Sequence, residues 1–142
     1  MVWARFGSCS VQCSACRRIC CEEIGLGVIL DHHRSEAGNG ANGNGLWYSG
    51  SYSEADWLLA WNTLADVFGD HPAVIGADLH NEPHGQATWG DGSATDWAVA
   101  AEKAGNLIHQ SAADWLIFVE GIGSYEGDNY WWGGNLAGVA DR

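Results

Sequence analysis

Residues 74–83 read Val-Ile-Gly-Ala-Asp-Leu-His-Asn-Glu-Pro, a short run of β-favouring apolar residues that breaks abruptly into polar ones. A continuous apolar run of this length suits a strand buried on both faces of a parallel sheet. Pro83 cannot donate a backbone hydrogen bond and biases the preceding residue, Glu82, toward an extended conformation, as expected for a strand that ends at a site. The run is not isolated. Gly25 to Leu30, GLGVIL, precedes it and Leu116 to Glu120, LIFVE, follows, so strand starts recur roughly 40 to 50 residues apart.

The intervals between these runs carry helical patterns. Ser53 with Asp56 three positions on makes a capping box, and Trp57, Trp61, Leu64 and Phe68 then recur at helical spacing before Gly69. That stripe makes Trp57 and Trp61 packing residues rather than sugar platforms. Ser93 and Asp96 offer a second cap, ahead of an Ala-rich helix from about Trp97 to Gln110. The order βαβαβ with right-handed crossovers is the expectation. Residues 35–52, dominated by Gly, Asn and Ser, read as a long surface loop carrying Trp47 and Tyr48.

Composition narrows the partners. The chain has 142 residues, 46% of them hydrophobic, with no apolar run approaching the roughly 20 residues that span a bilayer. Six basic residues against 18 acidic ones give a formal charge of -12, which repels phosphate backbones and anionic lipid. Neither nucleic acid nor membrane is an expected partner. Nine Trp residues favour carbohydrate, because a flat apolar ring with a polar N–H suits the face of a sugar. The five Cys residues, at positions 9, 13, 16, 20 and 21, cannot staple the rest of the fold. Cys13 and Cys16 have the spacing of a zinc pair but lack a distant second pair, so no metal and no cofactor is expected. The N-terminal residues lack the apolar segment of about 7 to 15 residues that a signal peptide requires.

Each strand ends in polar residues: Asp31 and His33, then Asn81 and Glu82, then Glu120. In barrels of βα units the catalytic groups sit at the C-terminal strand ends. Glycosidic hydrolysis needs one carboxylic acid to protonate the leaving oxygen and a second carboxylate to attack or to activate water. Glu82 fits the first role, and Asn81 can hydrogen-bond a sugar hydroxyl beside the bond being cleaved. A rival reading takes His80-Asn81-Glu82 as the H-x-E of a zinc-dependent hydrolase or deaminase. That signature places Pro-Cys-x-x-Cys after the H-x-E, whereas the Cys pair here comes before it.

The segments GLGVILDHHRS (25–35), VIGADLHNEPHG (74–85) and LIFVEGIGSYEGDNYWWGGN (116–135), in this order, resemble the central portion of glycoside hydrolase family 5, the cellulase family. The resemblance is strongest to bacterial endo-β-1,4-glucanases and runs from about Glu22 onward. It implies an α/β fold that is a fragment, about strands 3 to 5, of a (β/α)8 TIM barrel. By the same resemblance Glu82 is the general acid/base of a retaining double displacement, Asn81 its hydrogen-bonding neighbour, and His33 a substrate-binding residue. Trp132 falls where related endoglucanases place an aromatic platform, with Trp131, Trp47 and Tyr48 as weaker candidates. The implied substrate is a β-glucan polysaccharide or oligosaccharide such as cellulose, and the full-length family member is secreted.

Departures from the family pattern set further expectations. The family nucleophile, a second Glu on the seventh strand in a segment ending Gly-Glu and an aromatic, has no match here. The fragment alone is therefore expected to be inactive, which leaves a non-catalytic carbohydrate-binding fragment as the alternative. Pairing Glu82 with Glu120 as the two carboxylates is rejected, because in the family the partner comes from across the barrel; Glu120 is read as a structural or supporting carboxylate. Residues 1–21 match nothing in the family and read like translation in a wrong frame, so the catalytic segment is taken as 22–142.

Overall fold

The computed structural model describes residues 2–5 and 25–129. Four parallel strands lie side by side in chain order: β1 (Val2–Arg5), β2 (Val28–Asp31), β3 (Val74–Asp78) and β4 (Leu116–Phe118). Helices α1 (Glu54–Phe68) and α2 (Trp97–Ile108) fill the crossovers from β2 to β3 and from β3 to β4. The βα order read from the sequence is what the chain adopts, with two differences. A fourth strand, β1, pairs with β2 inside the segment that carried no expected element. The residues after Glu120 include a hairpin, β5 (Ser124–Tyr125) with β6 (Asp128–Asn129), where only a loop was expected. Its turn places Glu126 and Gly127 at φ 51° and 87°, the left-handed pair that suits a two-residue hairpin.

The strands are shorter than the runs that announced them, β2 starting three residues late at Val28 and β4 ending at Phe118. Both helices start where the sequence said. Ser53 caps α1 through its hydroxyl, which accepts from the Asp56 N–H at 3.2 Å, while the Asp56 carboxylate takes the Ser53 N–H at 2.9 Å. Asp96 caps α2 more strongly. Its buried carboxylate accepts from the N–H groups of Ala98 (3.1 Å), Val99 (3.4 Å), Gly90 (2.9 Å) and Gly92 (2.7 Å), so it fixes the preceding loop as well as the helix.

The core lies between the sheet and the helices. Val28, Leu30, Ala77 and Leu79 point from the strands toward Trp57, Trp61 and Ala65 of α1 and Trp97, Ala100, Ala104 and Ile108 of α2. The alternate residues Asp31, Gly76, Asp78, Leu116 and Phe118 lie on the opposite, inner face, as the period of two in a strand requires.

The loop 35–52 is not a surface loop throughout. Leu46 and Trp47 are buried. Buried backbone must find hydrogen bonds, and Asn42 supplies them: its amide nitrogen donates to the Leu46 carbonyl at 2.6 Å and its oxygen accepts from the Ser35 N–H at 3.0 Å. Gly45, at φ 74°, then lies against the chain after Glu82, where a Cβ would fall 1.8 Å from the His84 carbonyl oxygen. The His84 N–H donates to the Gly45 carbonyl at 3.0 Å, so this loop backs the site.

Candidate active site

Beyond β3 the ladder continues for a few residues. The Leu79 N–H donates to the Phe118 carbonyl (3.1 Å) and the Asn81 N–H to the His32 carbonyl (3.2 Å), so His80-Asn81-Glu82 emerges between the ends of β2 and β4. Two indoles of α1 fix this exit. Trp57 Nε1 and Trp61 Nε1 both donate to the Leu79 carbonyl, at 3.2 and 3.3 Å. From α2, Trp97 Nε1 donates to the Glu120 carbonyl at 2.8 Å. The tryptophans read as packing residues are that, and their N–H groups also place the strand ends on which the site stands.

Glu82 is exposed and has φ 51°, so the extended conformation expected before Pro83 is not what the chain adopts. Pro83 disfavours the right-handed helical region, and contacts with neighbouring loops select the left-handed region rather than the extended one. The Glu82 N–H donates to Glu120 Oε2 at 3.0 Å, the Glu82 carbonyl accepts from the His84 ring at 2.7 Å, and the Pro83 carbonyl accepts from the Gly123 N–H at 2.8 Å. A left-handed non-glycine residue costs on the order of 1 to 3 kcal/mol and persists where its surroundings over-determine it.

The inner face around this turn is acidic. Asp31 and Asp78 are register partners on β2 and β3, and both are buried. His33 Nδ1 stands 3.1 Å from Asp31 Oδ2, which orients the His33 ring at the edge of the site. Burial, then Glu120 and Asp31, push the Asp78 carboxyl up to about 7. Its Oδ1 has no hydrogen-bond partner among the described residues. Glu120 is also raised, first by burial and further by the Glu82 and Asp31 carboxylates, with the Glu82 N–H opposing.

His80, the histidine of the H-x-E reading, turns into the protein. Its Nδ1 lies 2.9 Å from Nδ1 of His32, and such a contact requires one nitrogen to donate and the other to accept, hence two neutral rings with complementary tautomers. Burial, then His33, lowers His32 to about 4, while burial and His32 hold His80 well below the usual histidine range. Among the described residues no group of three or more His, Cys, Asp or Glu side chains could hold a metal ion.

Glu82, Asn81 and His33 are thus brought to adjacent strand ends. Trp47 is not. Its ring is 1% exposed, lies 5.1 Å from Trp97 and 6.0 Å from Trp57, and donates from Nε1 to Glu54 Oε2 at 3.2 Å. It has no free face for a sugar, a correction to the loop reading. Tyr48 is half-buried against it, its hydroxyl reaching the Ala94 carbonyl. Trp131 and Trp132 lie outside the described residues. Sequence reasoning took Glu120 as a structural carboxylate without naming its partner, and missed the His32–His80 pair and the unusual Asp78, all of which depend on pairings between distant segments. The indole anchors had a sequence cue, since a buried Trp needs a partner for its N–H.

A profile of cellulase (glycosyl hydrolase family 5) matches residues 20–142. The chain belongs to glycosyl hydrolase family 5. This family 5 chain is 52% identical over 121 residues to an endoglucanase of Paenibacillus polymyxa, covering 82% of the chain and 30% of that protein. It is 45% identical over 121 residues to the major extracellular endoglucanase of Xanthomonas campestris pv. campestris, covering 82% of the chain and 24% of that protein. The solved catalytic domain of the latter superposes with a TM-score of 0.72 at 44% identity, over 80% of this chain and 34% of that one. A complex of the endocellulase from Pyrococcus horikoshii with cellotetraose superposes at 0.71 with 41% identity, over 84% and 37%. Strands β2 to β4 with their helices, which lie within the matched residues, are therefore a section of the family's TIM barrel, and the family 5 chain spans about a third of the catalytic domains it matches.

Proposed function

We propose that the chain is the acid/base-bearing section of a retaining endo-β-1,4-glucanase. One observation carries the reading: in a family 5 chain, Glu82 stands exposed at the C-terminal end of β3, with its backbone held by the neighbouring strand end. In the first step the Glu82 carboxyl protonates the leaving glycosidic oxygen while a carboxylate from another part of the barrel attacks the anomeric carbon. In the second, Glu82 takes a proton from the water that releases the sugar. Asn81 and His33 bind the sugar beside the cleavage point, with Trp132 and Trp131 as aromatic platforms. Because the nucleophile segment has no match in the sequence, the 142-residue chain alone is inactive. The excess of acidic over basic residues and the abundance of Trp suit a neutral polysaccharide. Secretion of the whole enzyme follows the Xanthomonas relative, which is named as extracellular.

The test is a complete catalytic domain in which residues 25–129 replace the matching segment of the Paenibacillus endoglucanase. It is expected to release reducing ends from soluble carboxymethyl-cellulose, with Glu82→Gln lowering the rate by about 10²- to 10⁴-fold. Full activity in the variant would refute the acid/base role. Activity of the isolated chain would refute its dependence on the rest of the barrel.

A further inference from the structure

Glu120 deepens the reading above and rests on it. It is half-buried at the end of the neighbouring strand, 38 residues from Glu82, and directs Oε2 at the Glu82 backbone N–H, 3.0 Å away. Its own position is set from two sides: its carbonyl takes Trp97 Nε1 at 2.8 Å, and two residues earlier the Phe118 carbonyl takes the Leu79 N–H at 3.1 Å. On the other side of the turn, the contacts from His84 and Gly123 reach the Glu82 and Pro83 carbonyls, not the N–H. A carboxylate accepting from an amide makes a short, charge-assisted bond. Here it opposes the cost of a left-handed residue that carries a Cβ.

We propose that Glu120 is the positioning residue for Glu82, its carboxylate taking the Glu82 N–H and thereby locking the left-handed turn that sets where the acid/base carboxyl stands. Glu120 is neither the nucleophile nor a proton donor to substrate. It acts only through the Glu82 backbone, so its loss penalises steps in which Glu82 gives or takes a proton and spares a glycosylation step whose leaving group needs none.

Two measurements test this. In the ¹⁵N-labelled 142-residue chain, the Glu82 amide proton is expected to follow the titration of the Glu120 carboxyl. In Glu120→Ala its exchange rises at least about tenfold while the Leu79 amide stays protected. If alanine loosens Leu79 as well, Glu120→Gln decides, since its amide oxygen still accepts a hydrogen bond and restores protection. A Glu82 amide indifferent to both substitutions overturns the proposal.

The second measurement uses the completed catalytic domain and compares kcat/KM for cellotetraose, whose leaving group needs a proton, with that for 2,4-dinitrophenyl cellobioside, whose leaving group does not. Glu120→Ala is expected to cost about 10²-fold on the first and less than a few-fold on the second, with Glu120→Gln recovering most of the loss. Equal losses on both substrates, or none on either, overturn the proposal. Glu82→Gln run alongside separates the two claims: if it shows no dependence on leaving group, the acid/base reading itself fails, whatever Glu120 does.

Discussion

The outer face of the sheet buries a cluster of indoles, Trp47, Trp57, Trp61 and Trp97 among them, against α1 and α2, whereas the inner face leaves Leu116 59% and Phe118 37% exposed beside the carboxyls of Asp31, Asp78 and Glu120. One face is a finished core in which the N–H groups of Trp57, Trp61 and Trp97 hold strand ends in place. The other is an unfinished one, apolar at its base and charged at the end where Glu82 stands. The difference fits a section of a barrel: the helices that cover the outside come with each strand, while the inside is covered only by strands from across the barrel.

The outer face is expected to be where stability is lost most readily. Trp97 is fully buried and also anchors Glu120, so Trp97→Ala should cost about 3 to 5 kcal/mol in denaturant unfolding, often enough to prevent folding. A loss below about 1 kcal/mol would erase the contrast between the faces. Smaller and opposite effects should come from pH. His32, on the outer side, has a folded-state pKa of about 4 against 6.5 unfolded, so its contribution is complete above 6.5 and is lost as pH falls toward 4. Asp78, on the inner face, is raised to about 7 from 3.8, so its contribution is complete below 3.8 and is lost as pH rises through 7. Asp78→Asn should therefore stabilise the chain at pH 8 by about 1 to 2 kcal/mol, after allowance for solvent screening, with the gap closing by pH 4. His32→Asn should flatten the acid side of the stability profile instead. Denaturant midpoints at a series of pH values check both, and profiles that move the same way would break the comparison. The smallest effect belongs to the exposed helix surface. There Lys103→Ala, which removes a 2.7 Å ion pair with Glu54, should change stability by less than about 1 kcal/mol.

What could be read from the sequence tracks how local its causes are. Strand runs, both helix caps and the Trp57–Trp61 stripe are set within a few residues, and they stand where they were expected. Glu82 was legible because the apolar run before it and the chemistry it must perform agree. Trp47 was misread because Gly and Asn composition describes the loop's average exposure, not the Asn42 side chain that lets part of it be buried. The left-handed turn at Glu82 escaped notice because its partner, Glu120, is 38 residues away, and the rule for residues before proline speaks only of local sterics. The same distance hid the pairing of His32 with His80.

The central claim is that Glu82 is the acid/base of a double displacement. In the completed domain, Glu82→Ala should consume 2,4-dinitrophenyl cellobioside slowly, because the sugar attached to the enzyme lacks a base to activate water. Added azide, which needs no base, should raise turnover at least about tenfold and yield β-cellobiosyl azide. An unchanged rate with azide, or an α-configured product, would contradict it.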